Sequence, residues 1–174
     1  MTTVAYRGGF IASDSCWAMG NTRTTSASKV DRLASGALLG QAGDGDSRAV
    51  VALLDKVKTF EKIPSRADLA ATRCDFHGIL VLPRGEVVIV AIEPIGDEHH
   101  HYDAQVWKAN RGYAAVGSGA DFALGAMSAG KSAADAVRIA CEWDINSRLP
   151  VHVVNLLDNK TKVRKPSIRK KRAT

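Results

Sequence analysis

The sequence predicts an α+β fold in which antiparallel sheets are covered by helices. Two observations carry this. Strand-like runs come in adjacent pairs joined by short connections rich in glycine or proline, as hairpins do. The helical patterns fall in blocks between those pairs, so the order reads strands, helix, strands, two helices, strand. A parallel sheet would instead need single helices alternating with single strands.

The first pair is expected over residues 3–7 and 10–14, turned at Gly8-Gly9, and a second over 29–33 and 37–42, turned at Ser35-Gly36. The period then changes. Val50, Leu53, Leu54, Val57 and Phe60 follow one helix face, Asp46 and Ser47 suit its start, and Pro64 lies past its end. Residues 65–71 add a short helical piece. Strands return over 76–82 and 86–92 around Pro83-Arg84-Gly85, and again over 105–108 and 113–116. Two helices follow over 120–129 and 133–146, separated by Gly130. Ser132 is placed as an N-cap with Asp135 three residues on, in the manner of a capping box. Residues 151–157 close the fold as a strand.

Length and charge bound the organisation. The 174 residues suit one domain with a substantial core. The net charge of +6 hides an asymmetry, because residues 159–174 carry eight Lys and Arg and no acid, which leaves residues 1–158 at −2. The domain is therefore read as 1–158, and 159–174 as a basic tail too poor in apolar residues to order itself. The tail lacks interleaved aromatics, so a nucleic-acid partner is not expected. No secretory leader and no membrane segment are expected. Cys16, Cys74 and Cys141 are odd in number and widely spaced, which points to buried thiols in a reducing, cytoplasmic setting.

Thr2 is the first candidate for chemistry. Removal of Met1 would leave a hydroxyl nucleophile and a free α-amine on one residue. An α-amine titrates near neutral pH, at roughly 7.7–8.0, and can serve as that hydroxyl's base. Independently, Val137, Ala140, Cys141 and Asp144 recur at helical spacing, which puts the Asp144 carboxylate on an apolar, inward face where it needs a partner. Other signals are weaker. The stretch from Asp97 to Asp103 holds three adjacent histidines but no second ligand cluster, and reads as a polar hairpin loop. Asp44-Gly45-Asp46 lacks the downstream glutamate of a calcium loop. Gly117-Ser118-Gly119 lacks the pattern of a hydrolase elbow.

Several segments, taken in order, resemble one family. These are Phe10-Ile11-Ala12-Ser13-Asp14, Gly20-Asn21-Thr22, Lys29-Val30-Asp31-Arg32-Leu33 and Leu39-Gly40-Gln41-Ala42-Gly43-Asp44, then Val116-Gly117-Ser118-Gly119 and Asp144-Ile145-Asn146-Ser147. They resemble the proteasome β subunits, and most closely their simpler bacterial relative HslV, over nearly the whole chain short of the tail. The resemblance implies a four-layer αββα sandwich, the N-terminal-nucleophile hydrolase fold. It implies that Thr2 is the nucleophile, with Asp14 and Lys29 as an ion pair beside it. The Gly40 amide would face the oxyanion, and Ser118 would hydrogen-bond the Thr2 amine. Asp144 and Ser147 would orient that amine, and Leu38 and Ala42 would shape the pocket for the side chain before the cut bond. Arg148 departs from the pattern, standing where many members have glycine.

The implied activity is a threonine-type endopeptidase that works through an acyl-enzyme on Thr2 without metal or organic cofactor. The implied assembly is a homo-oligomeric double ring of six- or sevenfold symmetry. It would enclose unfolded protein or peptide substrates, with an ATP-dependent unfoldase as a possible partner. Two alternatives stay open: a same-fold amide hydrolase or acyl transferase, and a noncatalytic ring-forming scaffold.

Overall fold

The computed structural model of the chain describes residues 2–19, 22–25, 28–43, 46–96, 101–158 and 162–164. In chain order the strands are β1 (Val4–Arg7), β2 (Phe10–Ser13), β3 (Cys16–Met19), β4 (Thr22–Thr25), β5 (Val30–Arg32), β6 (Leu38–Gly43), β7 (Phe76–Val81), β8 (Val87–Ile95), β9 (His101–Lys108), β10 (Tyr113–Val116), β11 (Val151–Asn155) and β12 (Lys162–Arg164). The helices are α1 (Arg48–Leu54), α2 (Arg66–Ala70), α3 (Ala120–Ser128) and α4 (Ala133–Trp143), with a 3-10 turn at Phe60–Lys62. Among the described residues the result is a mixed fold with three sheets, ordered β10-β1-β2-β11-β12, β5-β6-β7-β8-β9 and β3-β4. Every pairing in them is antiparallel. Among the described residues no helix is long and apolar enough to cross a membrane.

The β1–β2 hairpin is built by its turn. Gly8 and Gly9 have φ of 58° and 82°, the positive values that a two-residue turn of the right twist demands of both positions. The turn sets the register Arg7↔Phe10 and Val4↔Ser13. One step beyond, the Asp14 amide donates to the Thr3 carbonyl at 3.0 Å, so the hairpin brings Asp14 beside the residue that follows Thr2.

Strand alternation sorts the apolar side chains into three clusters. Ala5, Ala12, Val151 and Val153 pack against Ala123, Met127, Ala136 and Val137 of α3 and α4. The other faces of the same strands, through Val4, Tyr6, Ile11 and Val154, meet Leu38, Ile79, Val81 and Ile89 of the second large sheet. The far face of that sheet, through Leu39, Leu80, Val88 and Val90, packs on Val50 and Leu54 of α1 and Leu69 of α2. A sheet covered on both faces explains why β7 and β8 read as continuous apolar runs. The two large sheets approach closely at Gly40, where a Cβ would lie 2.5 Å from Val4 Cγ1 and 2.7 Å from Ile11 Cδ1. Arg32 straps the end of β11 to β5. Its guanidinium donates to the carbonyls of Gly36 and Leu156 at 3.2 Å, and to those of Asn155 and Asp158 at 2.8 Å.

Several sequence expectations need correction. The helix expected to reach residue 146 ends at Trp143, because Asp144 leaves the helical region (φ −88°, ψ 114°) and its own carboxylate captures the Asn146 amide at 3.0 Å. The pattern over Val50–Phe60 is a helix only to Leu54. Val57 is still buried beyond it, and Phe60 opens the 3-10 turn. β9 begins at His101 rather than at 105, so the end of the histidine-rich stretch is strand. The β3–β4 ribbon was not anticipated. Nor was β12, which lies in the tail expected to lack order and pairs with Val151, His152 and Val153. Met1, Gly20, Asn21, Asp44, Gly45, the segment Asp97, Glu98, His99 and His100, and the remainder of the tail lie outside the described residues.

Candidate active site

Thr2 enters β1 and is 4% exposed. Its Oγ1 accepts a hydrogen bond from Lys29 Nζ at 2.7 Å, and the same ammonium lies 2.8 Å from Asp14 Oδ1. Lys29 precedes β5 and is pinned by its backbone: its amide donates to Ser13 Oγ at 3.3 Å and its carbonyl accepts from the Gln41 amide at 3.0 Å. Asp14 is fully buried, and an unpaired carboxylate there would be severely destabilising. It accepts four hydrogen bonds: from Lys29 Nζ, and from the amides of Thr3 (3.0 Å), Cys16 (2.7 Å) and Arg148 (3.1 Å). A carboxylate so held fixes the Lys29 cation against the Thr2 hydroxyl, where it favours the deprotonated oxygen.

A second set of groups lies at the Thr2 nitrogen. After β10 the chain turns at Gly117 (φ 91°), where a Cβ would lie 2.1 Å from the Thr2 carbonyl oxygen; only glycine permits this approach. The turn presents Ser118 Oγ at 3.3 Å from the Thr2 nitrogen, and Ser118 donates to Asp144 Oδ2 at 2.7 Å. Ser147 donates to the same oxygen at 2.6 Å. Burial pushes the Asp144 carboxyl up, but hydrogen bonds from Ser147, Ser118 and the Asn146 amide outweigh it and hold it below its ordinary value. Asp144 is thus a carboxylate at neutral pH, and both serine protons are committed to it.

The structure brings Thr2, Asp14, Lys29, Ser118, Asp144 and Ser147 into one connected set. Thr3, which the sequence reading passed over, closes it: its amide donates to Asp14 and its hydroxyl lies 2.5 Å from Ser147 Oγ. The nearby Cys141 thiol is pushed up to about 12, first by burial and then by Asp14 and Asp144, so it is no competing nucleophile.

Two expected residues are placed differently. Gln41 turns its amide toward β5. By alternation Gly40 turns its own toward β7, where Ile79 stands opposite. The Gly40 amide therefore serves the ladder, and its missing Cβ serves sheet packing, so neither faces an oxyanion. Gly43 turns its N–H the same way as Gln41, beyond Val30 at the start of β5. A Cβ there would lie 2.1 Å from the Asp75 carbonyl. Leu38 is fully buried between the sheets. Ala42 does adjoin the site: its Cβ would lie 3.3 Å from a Cβ on Gly117. A cleft of about 750 Å³ is lined by Gly117 together with His77, Ile89, Trp107 and Val116.

No family model matches the chain, and no curated protein matches it. The functional reading therefore rests on the geometry and on the resemblance of the segments quoted above.

Proposed function

We propose that this chain is an N-terminal-nucleophile hydrolase of the proteasome β-subunit type, acting as a threonine peptidase on Thr2. The observation that carries the reading is the Lys29 ammonium held by buried Asp14 at 2.8 Å and set 2.7 Å from Thr2 Oγ1. Ser118 Oγ at the Thr2 nitrogen supports it. The order of the apolar clusters, helices on sheet, sheet on sheet and sheet on helices, supports the four-layer αββα sandwich that goes with this reading. Phe122, Trp143 and Ile145 are large exposed apolar side chains that a ring of copies could bury.

Cutting the bond before Thr2 frees its α-amine. The amine takes the proton of Oγ1, and the oxygen attacks a substrate carbonyl while Lys29 offsets its negative charge. We assign the Gly43 N–H as the backbone donor to the oxyanion. Collapse breaks the peptide C–N bond, the ammonium protonates the departing amine, and an ester on Thr2 remains. The amine then takes a proton from water, whose oxygen attacks the ester and releases the acid and free Thr2. No step calls for a metal or organic cofactor.

Incubation with a panel of unstructured peptides and a free amine acceptor tests the reaction class. The proposal expects new carboxyl termini. Ligated products would make the chain an acyl transferase, and intact peptides with a processed Thr2 would favour a scaffold.

A further inference from the structure

The two halves of the site meet at Thr3. Thr3 is completely buried. Its amide donates to Asp14 Oδ1 at 3.0 Å and its carbonyl accepts from the Asp14 amide at 3.0 Å, which ties it to the Lys29 side. Its hydroxyl lies 2.5 Å from Ser147 Oγ, on the side of the Thr2 nitrogen. Space for this hydroxyl is made by Gly119, where a Cβ would lie 2.1 Å from Thr3 Oγ1 and 3.1 Å from Asp144 Oδ2.

Proton counting sets the direction of that last bond. Each hydroxyl has one proton to give. Asp144 is a carboxylate and can only accept, and Ser147 gives its proton to Oδ2 at 2.6 Å. The short contact can then be made only by Thr3 donating to Ser147. Donation runs from Thr3 through Ser147 to Asp144 on one branch, and from the Thr2 nitrogen through Ser118 to Asp144 on the other. Both branches end on the same oxygen, so they compete for its charge, and linked hydrogen bonds strengthen one another.

We propose that Thr3 is a positioning residue that sets the basicity of the Thr2 amine, an inference that rests on the peptidase reading above. Its hydroxyl fixes the Ser147 rotor and draws charge on Asp144 Oδ2 away from Ser118. Without it, Oδ2 leans harder on Ser118, whose oxygen becomes the better acceptor for the Thr2 ammonium. The ammonium holds its proton to higher pH, and less free base is present at neutrality.

The experiment follows the rate of Thr2 modification by a peptide epoxyketone against pH, by intact mass, in wild type, Thr3→Val and Thr3→Ser. Valine keeps the branched shape without the proton, and serine keeps the proton. Expected for Thr3→Val is an acid limb raised by roughly half a pH unit, with slower modification at neutrality and unchanged half-saturation by the reagent. Thr3→Ser is expected to restore the wild-type limb. A wild-type limb in Thr3→Val, or equal impairment in both variants, overturns the inference while leaving the peptidase reading intact. A processed wild-type chain that is never modified overturns both. Should Thr3→Val fail to fold, Ser147→Ala removes the same bond from its other end and must raise the limb likewise; an unmoved limb there is equally fatal.

Discussion

Replacing Lys29 by methionine keeps the length of the side chain and removes its cation. The ammonium lies 2.7 Å from Thr2 Oγ1. With an effective dielectric of about 20, a full negative charge on that oxygen would gain roughly 6 kcal/mol, and a transition state with about half the charge roughly 3 kcal/mol. The expected loss is therefore about 10²-fold in the rate at which Thr2 is acylated. The variant should also be less stable, because Asp14 stays buried without its counter-ion. Breaking such a pair costs about 3–5 kcal/mol. Asp14 keeps the amides of Thr3, Cys16 and Arg148, so the low end of that range is expected. A single-turnover assay with an activated ester at fixed pH gives the rate, and a denaturant melt of the same sample shows that the chain is folded. Folded Lys29→Met acylated at the wild-type rate would remove Lys29 from the chemistry and refute the electrostatic argument.

Gly40→Ala drives a methyl group into Val4 and Ile11 across the sheet interface and should lower stability by about 1–3 kcal/mol; a thermal melt checks it, and coupling with Val4→Ala should relieve part of the loss. Arg32→Met removes donors to the four carbonyls of Gly36, Asn155, Leu156 and Asp158 and should lower stability by about 1.5–3 kcal/mol in a denaturant titration. Asp144 is held below its ordinary value in the folded chain, so its contribution is fully present above about pH 4 and is lost as pH falls through the folded value. The acid side of the stability curve should flatten in Asp144→Asn; an unchanged curve would mean that Asp144 is not linked to folding.

What could be read from the sequence was governed by local rules. Gly8-Gly9 announced its hairpin because the two positive φ values of that turn are a property of the dipeptide. Ser132 announced α4 by the same kind of logic, its side chain accepting from the Asp135 amide. Asp144 was legible as an inward carboxylate from its spacing, although it caps the helix rather than belonging to it. Matters decided by tertiary pairing were not legible. Whether Gly40 or Gly43 offers an amide depends on which neighbouring strand takes each N–H, and no local pattern records that. β12 pairs with β11 although its sequence is basic rather than apolar. Thr3 looked like any strand threonine, because its meaning comes from Ser147, far away along the chain. The two residues between Met19 and Thr22, Gly20 and Asn21, are a hairpin signal that could have revealed β3–β4.

The central claim is that Thr2 carries both nucleophile and base. A peptide epoxyketone tests both at once, since stable capture needs the hydroxyl and the α-amine of one residue. Intact mass should show one adduct on a chain that begins at Thr2, and none on Thr2→Ala. An unmodified chain beginning at Thr2, a chain that keeps Met1, or an adduct that persists in Thr2→Ala would contradict the account.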